Sequence, residues 1–326
     1  MTHSPAGDRV RSSADRTQRP RRPFNLAGIP IDSGRLGSGN ASSRGSGANP
    51  AARPARDRLG TDRDTLRAVA GAGHRQRVQR EFGRQAESFA ASHALAGPDL
   101  VERLVLALGA AGEGRVLDWA CGPGLVSTAL APRAREVLAL DLTDGVLRVA
   151  ARRVLEAGCG NVRLVRGDGL RLPLPDACLD AATLRLAVHH LESPGDALRE
   201  VRRCLCPAGV VAVLDLLAPE DADDDRVLLA LERLRDPSHV RALRATELVD
   251  LVRDAGFVAV ASETFRLERR FSEWAAIIAD PVRTDALRVV MRELARCGVR
   301  AGIGLREASD DLCFDYRFAL VVGRRA

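Results

Sequence analysis

From Gly114 onward the chain alternates short Leu-rich or β-branched runs with helical segments, and this alternation limits the fold more than any other feature. The runs are Arg115–Asp118, Val137–Leu140, Val162–Arg166, Ala181–Leu184 and Val210–Leu216. Between them the pattern predicts a helix from Leu125, one from Asp144 to about Ala157 with Asp144 as N-cap, and one from Ser193 to about Cys204. Strands that read as unbroken apolar runs are buried on both faces, so they argue a parallel sheet covered by helices on each side. Ligands of such sheets bind outside the carboxyl ends of the strands, where the strand order switches.

The residues that carry chemistry fall at those ends. The first run leads into the loop Asp118-Trp-Ala-Cys-Gly122-Pro-Gly124. Two glycines there let backbone approach a ligand where a Cβ would collide or strain φ. The dinucleotide fingerprint would need a third glycine at position 127, where Ser127 stands, and no Lys follows to make a P-loop. Asp141 closes the second run, at about the distance past the glycine turn at which nucleotide-binding folds place a ribose-binding acid. Its plainer reading, starting the next helix, suits Asp144 better. After the third run, Asp168 lies in Gly167-Asp-Gly-Leu170, where it could accept from an adenine amine or merely shape a turn. Three acids at three successive strand ends beside one glycine turn describe an adenosine-shaped site without a phosphate cradle.

With these residues in place the chain resembles the class I S-adenosylmethionine-dependent methyltransferases, in particular the UbiE-like group named for ubiquinone and menaquinone biosynthesis. The likeness lies in Val116–Gly124, Asp141, Asn161–Asp176, Leu184–His190 and Leu198–Leu205, and continues in Leu234–Arg241 and Phe271–Trp274. It covers about Gln79 to Arg324. It implies a Rossmann-like α/β fold: a seven-stranded, mostly parallel sheet with helices on both faces, the last strand antiparallel, and a small helical lid. It also implies S-adenosylmethionine as cofactor and a small-molecule methyl acceptor. On this resemblance Asp118, Gly122 and Gly124 hold the methionine portion, Asp141 the ribose, and Asp168 with Gly169 the adenine amine. Leu142 and Leu170 sandwich the adenine, and the backbone around Arg185 meets the cofactor's amino group. Ala120 replaces the family's first glycine, so the turn there is expected to avoid positive φ.

Methyl transfer from a sulfonium is an in-line displacement that rests on positioning and needs no nucleophilic residue of the enzyme. A phenol, amine or activated ring carbon as acceptor still needs a proton removed, and His189 and His190, after the fourth run, are candidate bases. Packing and capping of the next helix is the competing reading for either. His239, in Asp236-Pro-Ser-His239, is read as structural. From another class of function, a non-catalytic S-adenosylmethionine-binding or interaction protein would share this fold.

Composition bounds the rest. Residues 1–80 hold 16 Arg against 6 Asp and no Glu, more than the whole net charge of +6, so the remainder of the chain is net acidic. Residues 1–73, rich in Arg, Gly, Ser and Pro, cannot bury enough apolar surface to offset their ordering entropy and are expected to be a disordered tail. Without aromatics interleaved for base stacking, nucleic-acid binding is not expected of it. The methyltransferase domain is expected over 74–326, with a cofactor-binding core at about 114–217 and the lid and C-terminal strands at about 218–326. Val78, Phe82, Ala86 and Phe89 mark one helix face, and Leu100, Val101, Leu104, Val105 and Leu108 a second. Ala222–Arg235 behind an acidic first turn, with Ser272–Ala279, is expected to form the lid. Val258–Phe265 and Phe314–Val322 supply the last two strands. Seven irregularly spaced cysteines make neither a disulfide framework nor a zinc tetrad, and no run reaches the roughly 18–20 apolar residues of a membrane span. The expectation is a cytoplasmic protein that binds no metal.

Overall fold

A computed structural model describes residues 63–91 and 98–326, so the expectation for residues 1–62 lies outside the described residues. Helix α1 spans Arg63–Ala91 and begins well before His74, the expected onset of order. The reason is local: Leu66, Arg67, Ala68 and Ala70 are strong helix formers, and they outweigh Gly71 and Gly73, each of which costs about 1 kcal/mol against Ala.

Strands β1 (Arg115–Trp119), β2 (Glu136–Asp141), β3 (Val162–Arg166), β4 (Leu179–Arg185) and β5 (Leu205–Leu216) all run parallel to one another. β6 (Phe257–Arg270) and β8 (Asp311–Arg325) complete the path β3-β2-β1-β4-β5-β8-β6, with β8 antiparallel to both β5 and β6. Among the described residues the sheet follows the expected seven-strand path, and a further three-residue strand, β7 (Arg306–Ala308), too short to show a period, pairs with the start of β8. β1 to β3 build outward on one side and β4 and β5 on the other, so the switch point lies between β1 and β4.

Alternate strand residues divide the core, as the two-residue side-chain period requires. Val116, Val137, Ala181 and Val210 face α2 (Pro98–Ala107) and α3 (Leu125–Leu130). On the same side lie α6 (Ala222–Arg235), α8 (Phe271–Ala275) and α9 (Pro281–Arg296). Leu117, Leu138, Ala182 and Val211 face α5 (Pro194–Cys204) and α7 (Ala245–Asp254). α4 (Asp144–Glu156) is N-capped by Thr143 rather than Asp144; Asp144 occupies the first turn and pairs with Arg166 across 3.1 Å. Asp141 explains the shift, because its Oδ1 accepts from the Thr143 N–H at 2.9 Å and so sets the entry to the helix. Among the described residues no helix is long and apolar enough to cross a membrane.

α1 is held on α4. Ala86 packs with Val146 and Val149, and a Cβ added at Gly145 would lie 3.4 Å from the Gly83 Cα, so the helices meet nearly backbone to backbone. Arg153 donates to the Ala90 carbonyl, Gln79 to that of Leu142, and Arg152 pairs with Glu87. Gly145→Val would force branched atoms into that contact, at the roughly 1–3 kcal/mol typical of overpacking. The thermal midpoint should fall by several degrees, and limited proteolysis should cut first within α1.

Candidate active site

A cleft of about 290 Å³ opens over the carboxyl ends of the parallel strands at the switch point. Its floor is set by Asp118 at the end of β1. This carboxylate is only 1% exposed; Ser127 Oγ donates to Oδ2 at 2.5 Å and Thr183 Oγ1 to Oδ1 at 3.2 Å. It thereby ties β1 to α3 and to β4, and burial pushes its pKa up to about 6 despite those hydrogen bonds. Ser127, the residue that interrupts the dinucleotide fingerprint, is the side chain that satisfies it. Asp118 was expected to hold the methionine portion; it borders the cleft, but its oxygens are already engaged from within the protein.

The loop beyond is fixed by backbone. Cys121 N donates to the Leu140 carbonyl at 2.9 Å, Gly124 N to that of Cys121 at 3.0 Å, and Gly122 N to Asp141 Oδ2 at 3.0 Å. These restraints carry Ala120 to φ +55°, against the expectation that an alanine there avoids positive φ. The left-handed conformation costs a non-glycine residue about 1–2 kcal/mol, which the loop's hydrogen bonds offset. Gly122, at φ +54°, has no atom within 4 Å of an added Cβ and faces open cleft; Gly124 is turned to Ala150 of α4, 3.4 Å away, and lies off it. The Cys121 thiol is pushed well up by burial and by Asp118 and Asp141, so it stays protonated and unreactive.

Asp141 points into the cleft from the tip of β2. Burial raises its pKa, opposed by the N–H groups of Thr143 and Gly122, and each oxygen keeps a lone pair beyond those bonds. Asp168 accepts from the Leu170 N–H at 3.0 Å, and Arg75 of α1 stands 3.9 Å from its other oxygen. Leu142, Gly169 and Leu170 border the same cleft; Trp119 packs on Gly169 and donates to its carbonyl at 3.1 Å. The sequence-predicted residues other than Gly124 and His189 therefore converge on one cleft.

Its roof is α1, through His74, Arg75, Val78, Phe82 and Phe89, whose periodicity showed a buried face but not what it covers. A second cavity of about 60 Å³ adjoins the cleft, sharing Phe82, Phe89, Arg185, Leu186 and His190 with it. Trp274 and Ile277, from the segment expected to form a lid, border this cavity, and α6 borders it at Arg235. Leu186 turns the chain there at φ +52°, held by its N–H on the Leu214 carbonyl at 2.8 Å, a strained residue between the two spaces.

His189 and His190 form a single 3₁₀ turn after β4. Asp215, at the end of β5, clamps it: Oδ2 accepts from the Val188 N–H at 2.7 Å, and Oδ1 lies 2.5 Å from His189 Nδ1. A carboxylate can only accept, so His189 carries its proton on Nδ1. Ser238 Oγ, 2.6 Å from Asp236 Oδ1, gives its one proton there, so His190 Nδ1, at 3.1 Å, donates to Ser238. Burial and the neighbouring His189 push His190 well below the usual histidine range. His74 Nε2 donates to the His190 carbonyl at 2.8 Å. His239 borders neither cavity; its ring lies 5.0 Å from that of His189, and burial, then His189, bring it to about 4. Buried Glu232 is held low by Arg235 and accepts from Arg235 at 3.0 Å and from Tyr316, which builds a charge-balanced wall behind the histidines.

The Asp118 environment makes a test. Its folded pKa of about 6 exceeds the unfolded value, so the fold keeps a proton that the unfolded chain loses first. Its contribution to stability therefore declines as pH rises from about 4 to above 6, by on the order of 3 kcal/mol, and is constant beyond. Asp118→Asn should remove that slope and raise the thermal midpoint at pH 7.5 relative to the parent. Parallel pH–stability profiles of the two proteins would show this site to be wrongly described.

Residues 117–213 match the family model described as a methyltransferase domain, the stretch from β1 to β5 that builds the cleft. The chain is 40% identical over 135 residues, 41% of its length and 53% of the relative's, to the uncharacterized methyltransferase YcgJ of Bacillus subtilis. It is 34% identical to the uncharacterized protein YafE of Escherichia coli, over 47% of this chain and 74% of that one. The crystal structure of YcgJ superposes with a TM-score of 0.64 at 27% identity, covering 70% of this chain and 98% of that one. A ubiquinone/menaquinone biosynthesis C-methyltransferase, UbiE of Azotobacter vinelandii, is 38% identical over 33% of this chain and 44% of its own. The chain thus spans about half the length of the YcgJ and UbiE relatives in sequence. With the sheet order, the strand-end acids and the glycine turn, these matches establish that the chain belongs to the class I S-adenosylmethionine-dependent methyltransferases.

Proposed function

We propose that the protein binds S-adenosylmethionine in the cleft and transfers its methyl group to a small molecule held in the adjoining cavity. The observation that carries this reading is the juxtaposition of a cleft bearing Asp141 and Gly122 with a second, separately walled space at His190. The residues fit the cofactor. Open space at Gly122 admits it against backbone, Asp141 keeps acceptor capacity for two ribose hydroxyls, and Leu142 and Leu170 offer apolar surface for a flat base. Asp168 would take the adenine amine, and the turn from Arg185 to Ala187 would face the methionine end.

S-Adenosylmethionine supplies an electrophilic methyl: the acceptor's lone pair bonds to that carbon as the carbon–sulfur bond breaks, its electron pair stays on sulfur, and S-adenosylhomocysteine departs. What the protein adds is alignment and a place for the acceptor's proton. Phe82 stacks edge-on against His190 with ring centroids 4.9 Å apart, a contact that fixes the boundary between the two spaces. His189 is the base in this reading, because Asp215 at Nδ1 leaves its Nε2 lone pair available and stabilises the imidazolium that forms. His190, kept neutral by burial, positions the acceptor at the junction.

Two experiments test the proposal. Asp141→Ala should lower S-adenosylhomocysteine affinity at least about tenfold by calorimetry, since it removes charge-assisted bonds of roughly 1.5–3 kcal/mol each; unchanged affinity in a folded variant would remove the ribose assignment. With an acceptor from a screen of quinols, phenols, amines and acids, His189→Asn should lower turnover about 100-fold. The loss should shrink as pH rises enough to ionise the acceptor unaided, while cofactor affinity is kept. A pH-independent loss of only a fewfold would mean that His189 packs rather than accepts a proton, and binding without turnover of any acceptor would favour a non-catalytic binder.

A further inference from the structure

The second cavity is an apolar space with an excess of positive charge. Phe82, Phe89, Leu100, Trp274, Ile277 and Phe318 give it aromatic and aliphatic walls, and Arg185, Arg235 and Arg269 enter the same lining with Asp236 as the one acid. Asp118 and Asp215 act on Arg185, and Glu273 acts on Arg269 from beyond ion-pair distance. Arg235 is balanced by Glu232, and Asp236 Oδ1 is taken up by the Ser238 N–H at 2.8 Å and hydroxyl at 2.6 Å. Arg269 lies over the Phe318 ring, 5.9 Å from its centroid, and among the described residues no carboxylate comes within 4.0 Å of it. It stands close enough to Arg185 to disfavour the charge there, so two guanidinium groups face one small, low-dielectric space. The Gln85 side chain, 2% exposed and in the same lining, holds an amide nitrogen with no hydrogen-bond partner among the described residues. Arg269, with no carboxylate within 4.0 Å among the described residues, and the Gln85 amide nitrogen thus face the same space, and a buried donor in that state calls for an acceptor from a ligand.

We propose that the methyl acceptor is an apolar or aromatic carboxylate whose acid group is bound by Arg269, with Arg185 and the Gln85 amide beside it, and whose hydrocarbon part fills the aromatic walls. This rests on the methyl-transfer reading of the adjoining cleft. The carboxylate is the handle, and the reacting atom is a second group of the molecule that extends past Phe82 and His190 toward the cofactor. A guanidinium fork matches a carboxylate in two parallel hydrogen bonds, and burial strengthens such a pair beyond its value at a surface. The same cavity disfavours an ammonium ion, which would meet two guanidinium groups, and a neutral quinol, which would leave Arg269 desolvated and unmatched.

The test is a set of calorimetric titrations of the full chain saturated with S-adenosylhomocysteine, using 3-phenylpropionate, 4-hydroxybenzoate and octanoate, each against its primary amide. At least one acid should bind tenfold or more tightly than its amide. Arg269→Met should erase that preference with S-adenosylhomocysteine affinity unchanged, which also shows that the variant is folded, and Arg269→Lys should restore it in part. Acids that bind no better than their amides, a preference that survives in Arg269→Met, or no binding of any acid below millimolar concentration would each overturn the proposal. A chain that binds no S-adenosylhomocysteine would instead overturn the methyl-transfer reading, and the two failures are separated in the same series of titrations.

Discussion

The site depends on keeping a carboxylate where water does not reach. Asp118 sits at the end of β1 under the glycine loop, and it is tolerated there because α3 and β4 each send it one hydroxyl, from Ser127 and Thr183. Those two bonds hold three elements at fixed spacing around the switch point. The loop above them can then adopt positive φ at Ala120, Gly122 and Gly124 in close succession, a shape no isolated segment would keep. Asp141 completes the arrangement from the neighbouring strand by accepting from Gly122 N. Asp141 and the glycine loop are therefore one mechanical unit, and a change at either is felt by both.

Around this rigid floor the protein places a roof from a distant part of the sequence. α1 precedes the sheet, yet it supplies a wall of both cavities, and it meets α4 closely where Gly145 lies against the Gly83 backbone. Further ties run to the C-terminal half, where Arg84 meets Asp280 and Arg283 meets Glu81, each at 3.1 Å. The cleft and the adjoining cavity consequently share a cover whose position depends on both halves of the domain. Phe82 and Phe89 border both spaces.

Much of this was legible in the sequence because strand ends are local features. Asp118, Asp141 and Asp168 each close an apolar run, and a run followed by an acid can be read without tertiary information. Asp215 obeys the same rule at the end of β5 and is legible on that ground, but the reading of motifs passes over it because no glycine turn follows. The φ of Ala120 is not legible, since it is imposed by Leu140 and Asp141 on another strand. Arg269 is the clearest case of what a sequence hides. It is one of several arginines along β6, and only the register of β6 on β8 decides that it faces the cavity while Arg266 and Arg270 face solvent.

The paired histidines show how partners rather than residue type divide a task. Both carry their proton on Nδ1, one because Asp215 accepts it and the other because Ser238 is committed to Asp236, so both leave Nε2 as a lone pair. Their ring centroids are 4.2 Å apart, and two imidazolium ions at that distance in a buried site would repel strongly. The turn can therefore hold only one additional proton at a time. Asp215 is in direct contact with His189, whereas His190 has a neutral hydroxyl at its Nδ1 and is held well below the usual histidine range by burial and by His189. In the proposed reaction, that difference would let a proton leave an acceptor at the junction without charging the group beside the cofactor, whose own sulfonium is positive. A cationic His190 would oppose the binding of that sulfonium, so the burial that makes His190 a poor base also keeps the methyl donor's site free of a competing charge.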